Sequence, residues 1–134
     1  MTEASAGMGT ASQMAAVFVA GGLGASLRVA LASWLEPLVV ARLPHASVLL
    51  INLLGCLLIG FAAVALSQAH WRMIVLGGLL GGFTTYSAFA LFSVDLGQAG
   101  RWAVLAAQIG LHLVGGVASV LLGGWLARAL GFAN

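Results

Sequence analysis

The chain has 134 residues, of which 62% are hydrophobic and 6% charged, with a mean hydropathy of +1.12. Soluble domains carry about 25% charged residues, and a folded surface drawn from this composition could not face water. Lipid is the solvent that suits it. Five arginines against three acids leave a net charge of only +2, with no basic patch, which excludes nucleic acid as a partner.

The first segment, Met1–Ser12, is small and polar with one acid, Glu3. It lacks the positive start and short apolar stretch of a secretory signal and reads as a disordered tail. Residues 13–130 then form a single membrane domain. Four apolar runs follow, each long enough to cross a hydrocarbon layer of about 30 Å, which takes about 20 helical residues. They are Met14–Trp34, Ser47–Leu66, Met73–Val94 and Trp102–Leu126. Breaks are expected at Glu36–His45, Gln68–Arg72 and Asp95–Arg101. Trp34, Trp71, Trp102 and Trp125 all stand at run ends, where amphipathic rings settle at the lipid–water interface. The fold class is therefore all-α and integral to the membrane, with four transmembrane helices.

Orientation follows from arginine. Arg72 and Arg128 fall on one side of the membrane, Arg42 and Arg101 on the other. This even split leaves no positive-inside bias. The chain can then insert both ways and pair as an antiparallel, dual-topology dimer about a two-fold axis in the membrane plane. The alternative is a single orientation set by smaller effects. Glycines concentrate within the spans, and the pairs Gly77/Gly81 and Gly78/Gly82 have the spacing that lets helix backbones approach closely.

Polar groups inside lipid are costly, and each asks for a partner or a purpose. Arg28 lies deep in the first span and Asn52 in the middle of the second. Thr84, Thr85 and Ser87 cluster in the third. Gln108, His112 and Ser119 share one helical stripe in the fourth. Cys56, the single cysteine, cannot form an internal disulfide and reads as a small packing residue. In the third span, Gly81-Gly82-Phe83-Thr84-Thr85 sets two glycines before two β-branched residues, which favours an interrupted helix. An interruption frees backbone carbonyls that protein, water or a cation must satisfy. Beyond it, Tyr86 and Phe89 project from one face if helix resumes, and their ring edges carry partial positive charge. With the amide donors of Asn52, these make an anion path free of any full charge that would hold the ion too tightly. Each residue also has a plain packing explanation: Tyr86 and Phe89 as core, Asn52 as an interhelical hydrogen bond, Arg28 as a buried structural cation.

Three stretches carry a resemblance. Gly21-Gly22-Leu23-Gly24-Ala25-Ser26-Leu27-Arg28 resembles the first-helix motif of the Fluc (CrcB) family of fluoride channels. Asn52-Leu53-Leu54-Gly55-Cys56 with Gly60 is similar to its second-helix motif, and Gly81–Phe89 to its third-helix signature. The resemblance implies antiparallel dimers, of one chain or of two sister chains, with two fluoride pores and a central structural sodium ion. Backbone carbonyls matching Gly81 and Thr84 would hold the sodium. Asn52, Tyr86 and Phe89 would line the pore, with Ser87, Gln108 and His112 also along it, and Arg28 would match a required arginine. The implied role is passive export of fluoride through the inner (plasma) membrane as a multi-pass protein. Departures stand at Tyr86 for a phenylalanine, Phe92 for a glutamate and Ala90 for a serine, and at Gln108 and His112 for smaller groups or a tyrosine.

Two other readings fit the length and the four spans. A proton-coupled exporter of the small multidrug resistance type needs a carboxylate within the membrane, whereas Glu3, Glu36 and Asp95 lie in the tail and loops. A non-conducting subunit of a two-chain channel is the other. No nucleophile–base pair or metal-ligand cluster marks an enzyme, since His45, His70 and His112 lie on different segments.

Overall fold

A computed structural model describes residues 9–39 and 45–132. Most of the expected tail, and with it Arg42, lies outside them. The architecture is all-helical, with four helices long and apolar enough to cross a membrane. We label the elements α1 (Thr10–Val39), α2 (Ala46–Ala65), α3 (residues 69–83), α4 (Tyr86–Gln98) and α5 (Trp102–Ala129). Together α3 and α4 make the third span.

The helices overrun the expected breaks. Helix α1 starts at Thr10, where Ser12 Oγ donates to the Gly9 carbonyl, and it continues through Glu36 and Pro37. Pro37 has no N–H, so the Ser33 carbonyl one turn back loses its helical donor, yet the helix persists. Glu36 is held there by the buried Ser47 hydroxyl at the start of α2. Helix α3 already begins at Ala69, with Arg72 Nη1 donating to the Ala63 and Leu66 carbonyls at the end of α2. Helix α4 runs past Asp95 and closes at Gly100, whose φ of 69° suits glycine. There Arg101 N donates to Leu96 O at 2.9 Å and Gly100 N to Gly97 O at 3.0 Å, a Schellman end that Gly131 repeats after α5. Hydropathy marks where a chain enters lipid; hydrogen-bond partners decide where its helix stops.

Glycines set the packing. Helix α1 lies on α3 with Gly24 against the Leu79 carbonyl and Gly82 against the Gly21 backbone. Of the two spaced pairs, Gly78 and Gly82 make this seam. A Cβ on Gly78 would stand 3.0 Å from Ala20 Cβ. Gly77 and Gly81 do not take part: among the described residues, a Cβ on Gly77 would meet nothing within 4 Å, and one on Gly81 only the Leu76 carbonyl at 3.5 Å. The expectation of close packing is thus met by one pair and not, within this chain, by the other. The reason is angular: adjacent positions on a helix point about 100° apart, so one seam cannot use both. Helix α2 packs on α5 the same way, through Gly60 at Val120 and Gly123 at Leu57.

Long apolar side chains remain outside, among them Phe18 at 81% and Val114 at 73% exposure. Such a surface suits lipid or another apolar partner. Trp34, Trp71, Trp102 and Trp125 are exposed near helix ends, as interfacial rings require.

Candidate functional site

The third span changes conformation at two residues. Thr84 has φ −85°, ψ 158° and Thr85 has φ −148°, ψ 108°, both extended, between the helical residues Phe83 and Tyr86. Each threonine caps one side. Thr84 N and Oγ1 both lie 3.0 Å from the Leu80 carbonyl, closing α3. Thr85 Oγ1 accepts from Ala88 N at 3.2 Å as the N-cap of α4. The residues just upstream, Met73–Leu80, form a π-helix, and Leu111–Gly115 of α5 form another. Such wide turns loosen the regular pairing of carbonyls and occur often at functional sites.

Asn52 clasps the extended segment from α2. Its Oδ1 accepts from Thr85 N at 2.8 Å while its Nδ2 donates to Thr85 O at 3.1 Å. One turn on, Gly55 leaves the room that the Thr84 side chain fills, since a Cβ there would run into it. From α1, Arg28 Nε reaches the Gly82 carbonyl at 3.3 Å, across the seam that Gly24 keeps narrow.

These allocations decide which carbonyls stay free. In a continuous helix the Gly81 carbonyl would take the Thr85 N–H, and Thr84 the Ala88 N–H. Here Asn52 holds the first donor and Thr85 Oγ1 the second. Gly81 and Thr84 are thereby deprived of their helical partners, while Gly82 is served by Arg28.

Beside the clasp lies a cavity of about 270 Å³, lined by Asn52, Gly55, Cys56, Thr84, Thr85, Tyr86, Phe89 and His112 among others. The Tyr86 and Phe89 ring centroids are 5.6 Å apart, and Phe89 and His112 follow at 4.3 Å. No carboxylate, lysine or arginine lines it among the described residues. Asn52, Tyr86, Phe89 and His112 are thus brought together. Ser87 and Gln108 are not: Ser87 is exposed with its hydroxyl 3.1 Å from Thr85 Oγ1, and Gln108 is buried away from the cavity. The shared stripe expected of Gln108, His112 and Ser119 presumes regular α-helix; the π-helical turns change its phase before Ser119.

Sequence reasoning passed over Thr85, Gly55 and Cys56 as site residues. The spacing of Asn52, Gly55 and Cys56 at i, i+3 and i+4 was a usable signal, because it puts them on one helix face.

Four apolar spans around a half-buried polar clasp define a multi-pass integral membrane protein. The chain belongs to the CrcB-like family: residues 15–124 match the family described as "CrcB-like protein, Camphor Resistance (CrcB)". It is 45% identical over 118 residues to a protein of Dichelobacter nodosus named "Fluoride-specific ion channel FluC", covering 85% of this chain and 95% of that one. It is 41% identical to "Fluoride-specific ion channel FluC 2" of Symbiobacterium thermophilum, covering 89% and 97%. A third relative, "Fluoride-specific ion channel FluC" of Serratia proteamaculans, is 38% identical, covering 83% and 90%. These relatives are named as channels rather than enzymes.

Proposed function

We propose that this chain forms a fluoride-selective channel that lets cytoplasmic fluoride leave passively across the inner (plasma) membrane. The observation that carries the reading is the uncharged cavity in which the Asn52 amide, Tyr86 and Phe89 converge. Fluoride holds its water tightly, so a selective path must replace that water with short N–H, O–H and ring-edge contacts. One Nδ2 hydrogen of Asn52 is spent on Thr85 O, which leaves the second to face the ion. A larger halide cannot make the same close set. The names of the relatives point the same way.

The channel works as an antiparallel dimer. Gly77 and Gly81 line a face of α3 that no helix covers among the described residues, and that face suits a second copy. The two-against-two arginines favour insertion in both senses. Reporter tags at either terminus should each be found on both sides of the membrane. Strictly one-sided placement of both termini would rule out the antiparallel homodimer.

A sodium ion belongs at the dimer centre in this reading. The carbonyls of Gly81 and Thr84 lack their helical donors, and oxygen ligands of this kind suit a small hard cation. A two-fold axis would double the set.

The direct test is efflux from liposomes containing the purified full chain. Fluoride should leave and chloride should not, and replacing sodium on both sides by a large organic cation should abolish the fluoride current. Comparable chloride efflux would refute fluoride selectivity, and undiminished flux without sodium would refute the central cation. Activity appearing only on addition of a sister chain would mark a two-chain channel.

A further inference from the structure

His45 stands at the head of α2 with φ 62° and ψ 20°, in the left-handed region. Among the described residues it is the one non-glycine with positive φ. A backbone held in a sparsely populated conformation points to a use when its surroundings fix it there. Two contacts do so. The imidazole lies flat on the Phe92 ring, with centroids 3.7 Å and planes 9° apart. Two residues on, the buried Ser47 hydroxyl ties the start of α2 to Glu36 of α1.

Helix register joins this pair to the cavity. Asn52 of α2 meets Thr85, and seven residues away along both segments His45 meets Phe92. Seven residues make nearly two turns, about 10 Å, and return to the same helix face. On α2 that face lines the cavity through Asn52, Gly55 and Cys56. On α4 the cavity is lined by Phe89, one turn before Phe92. Both walls, followed in one direction, therefore end at the same stacked pair. Both rings are half-buried, as a place where a passage opens to water requires. Stacking uses the face of the imidazole and leaves its N–H, which lies in the ring plane, unobstructed by Phe92. Neutral or protonated, the ring has at least one such donor. The acid at this end of α1, Glu36, is engaged by Ser47.

We propose that His45 is the outer anion contact of the path: at the mouth on the N-terminal side of α2, its ring N–H donates to fluoride passing between water and the cavity, and Phe92 steadies the ring. This rests on the fluoride-path reading above.

The experiment measures fluoride efflux from liposomes at subsaturating fluoride, at matched dimer content, with flux in protein-free vesicles subtracted. Sodium is held constant, and a large organic salt sets the ionic strength at about 0.01 M or about 1 M, where the Debye length is about 30 Å or about 3 Å. At low ionic strength His45→Glu should pass about fivefold less fluoride than His45→Gln, and His45→Lys about fivefold more. That is the factor given by one unit charge at about 4 Å in water. Both differences should shrink below about twofold at high ionic strength, which a merely structural role would not produce. His45→Leu adds no charge and removes the donor, so it should lose roughly threefold relative to His45→Gln, which keeps one. Phe92→Leu should cost a similar factor, and no more when combined with His45→Leu. Charged variants that move flux in the same direction, or a difference that salt leaves unchanged, overturn the proposal. Equal flux in His45→Gln and His45→Leu overturns it as well. Absence of fluoride efflux in the unaltered chain overturns the fluoride-path reading beneath it.

Discussion

Asn52→Asp is expected to abolish fluoride efflux, the largest functional effect of any isosteric change in this chain. The variant keeps shape and one acceptor, so the contact from Thr85 N survives. The other carboxylate oxygen then faces the Thr85 carbonyl in place of the Nδ2 donor, acceptor against acceptor. A fully buried acceptor left this way costs about 1–3 kcal/mol, and this half-buried pair sits at the lower end of that range, about 1 kcal/mol. The added charge also opposes the anion by about 4 kcal/mol at about 4 Å and an effective dielectric of about 20. That alone slows passage by roughly a thousandfold. Phe89→Ile should come next, because it keeps bulk and removes the ring edge that Tyr86 and His112 flank. Tyr86→Phe, which keeps the ring, should be mild. Liposome efflux for each variant, after dimer assembly is checked, decides the matter. Near-normal flux in both Asn52→Asp and Phe89→Ile would place the path elsewhere.

Gly24→Val is expected to be the most damaging change to folding. A Cβ on Gly24 would strike the Leu79 carbonyl and come within 2.9 Å of Phe83 N. Both are backbone atoms, so no flexible side chain can move aside. Overpacking of this kind costs about 3 kcal/mol, and valine adds two methyls to the clash. Folding free energies of roughly 5–15 kcal/mol leave little room for that. The same separation of α1 from α3 would stretch the Arg28 contact to the Gly82 carbonyl, so damage should reach the site as well. Gly22→Val is the control, because a Cβ there meets nothing within 4 Å among the described residues. It should shift stability by no more than about 0.5 kcal/mol. Unfolding in mixed micelles with rising detergent denaturant measures both variants. Parent-like unfolding of Gly24→Val would show that the α1–α3 seam is looser than its backbone contacts indicate.

The sequence by itself determined the solvent, the number of spans and the short list of polar residues. Those properties are sums over local chemistry: twenty apolar residues in a row need lipid wherever the rest of the chain goes. The composition at Gly81–Thr85 likewise carried a local preference against continuous helix. Only the tertiary structure decided how donors and acceptors were shared out there. Asn52 is 33 residues from Thr85, and no pattern within either span says that both polar ends of the amide go to one residue's backbone. Arg28 reaches Gly82 across 54 residues for the same reason. Local spacing offered two glycine pairs with equal merit, and the face of α3 that is turned toward α1 selected Gly78 and Gly82. Ser87 and Gln108 looked like path residues because they are polar and in lipid, yet neither lines the cavity. Thr85 takes up the Ser87 hydroxyl, and the fourth span buries Gln108 on another side. Polarity within a membrane shows that a side chain needs a partner. Which partner it finds depends on helix crossing and rotation, and those are set by contacts between segments far apart in the chain.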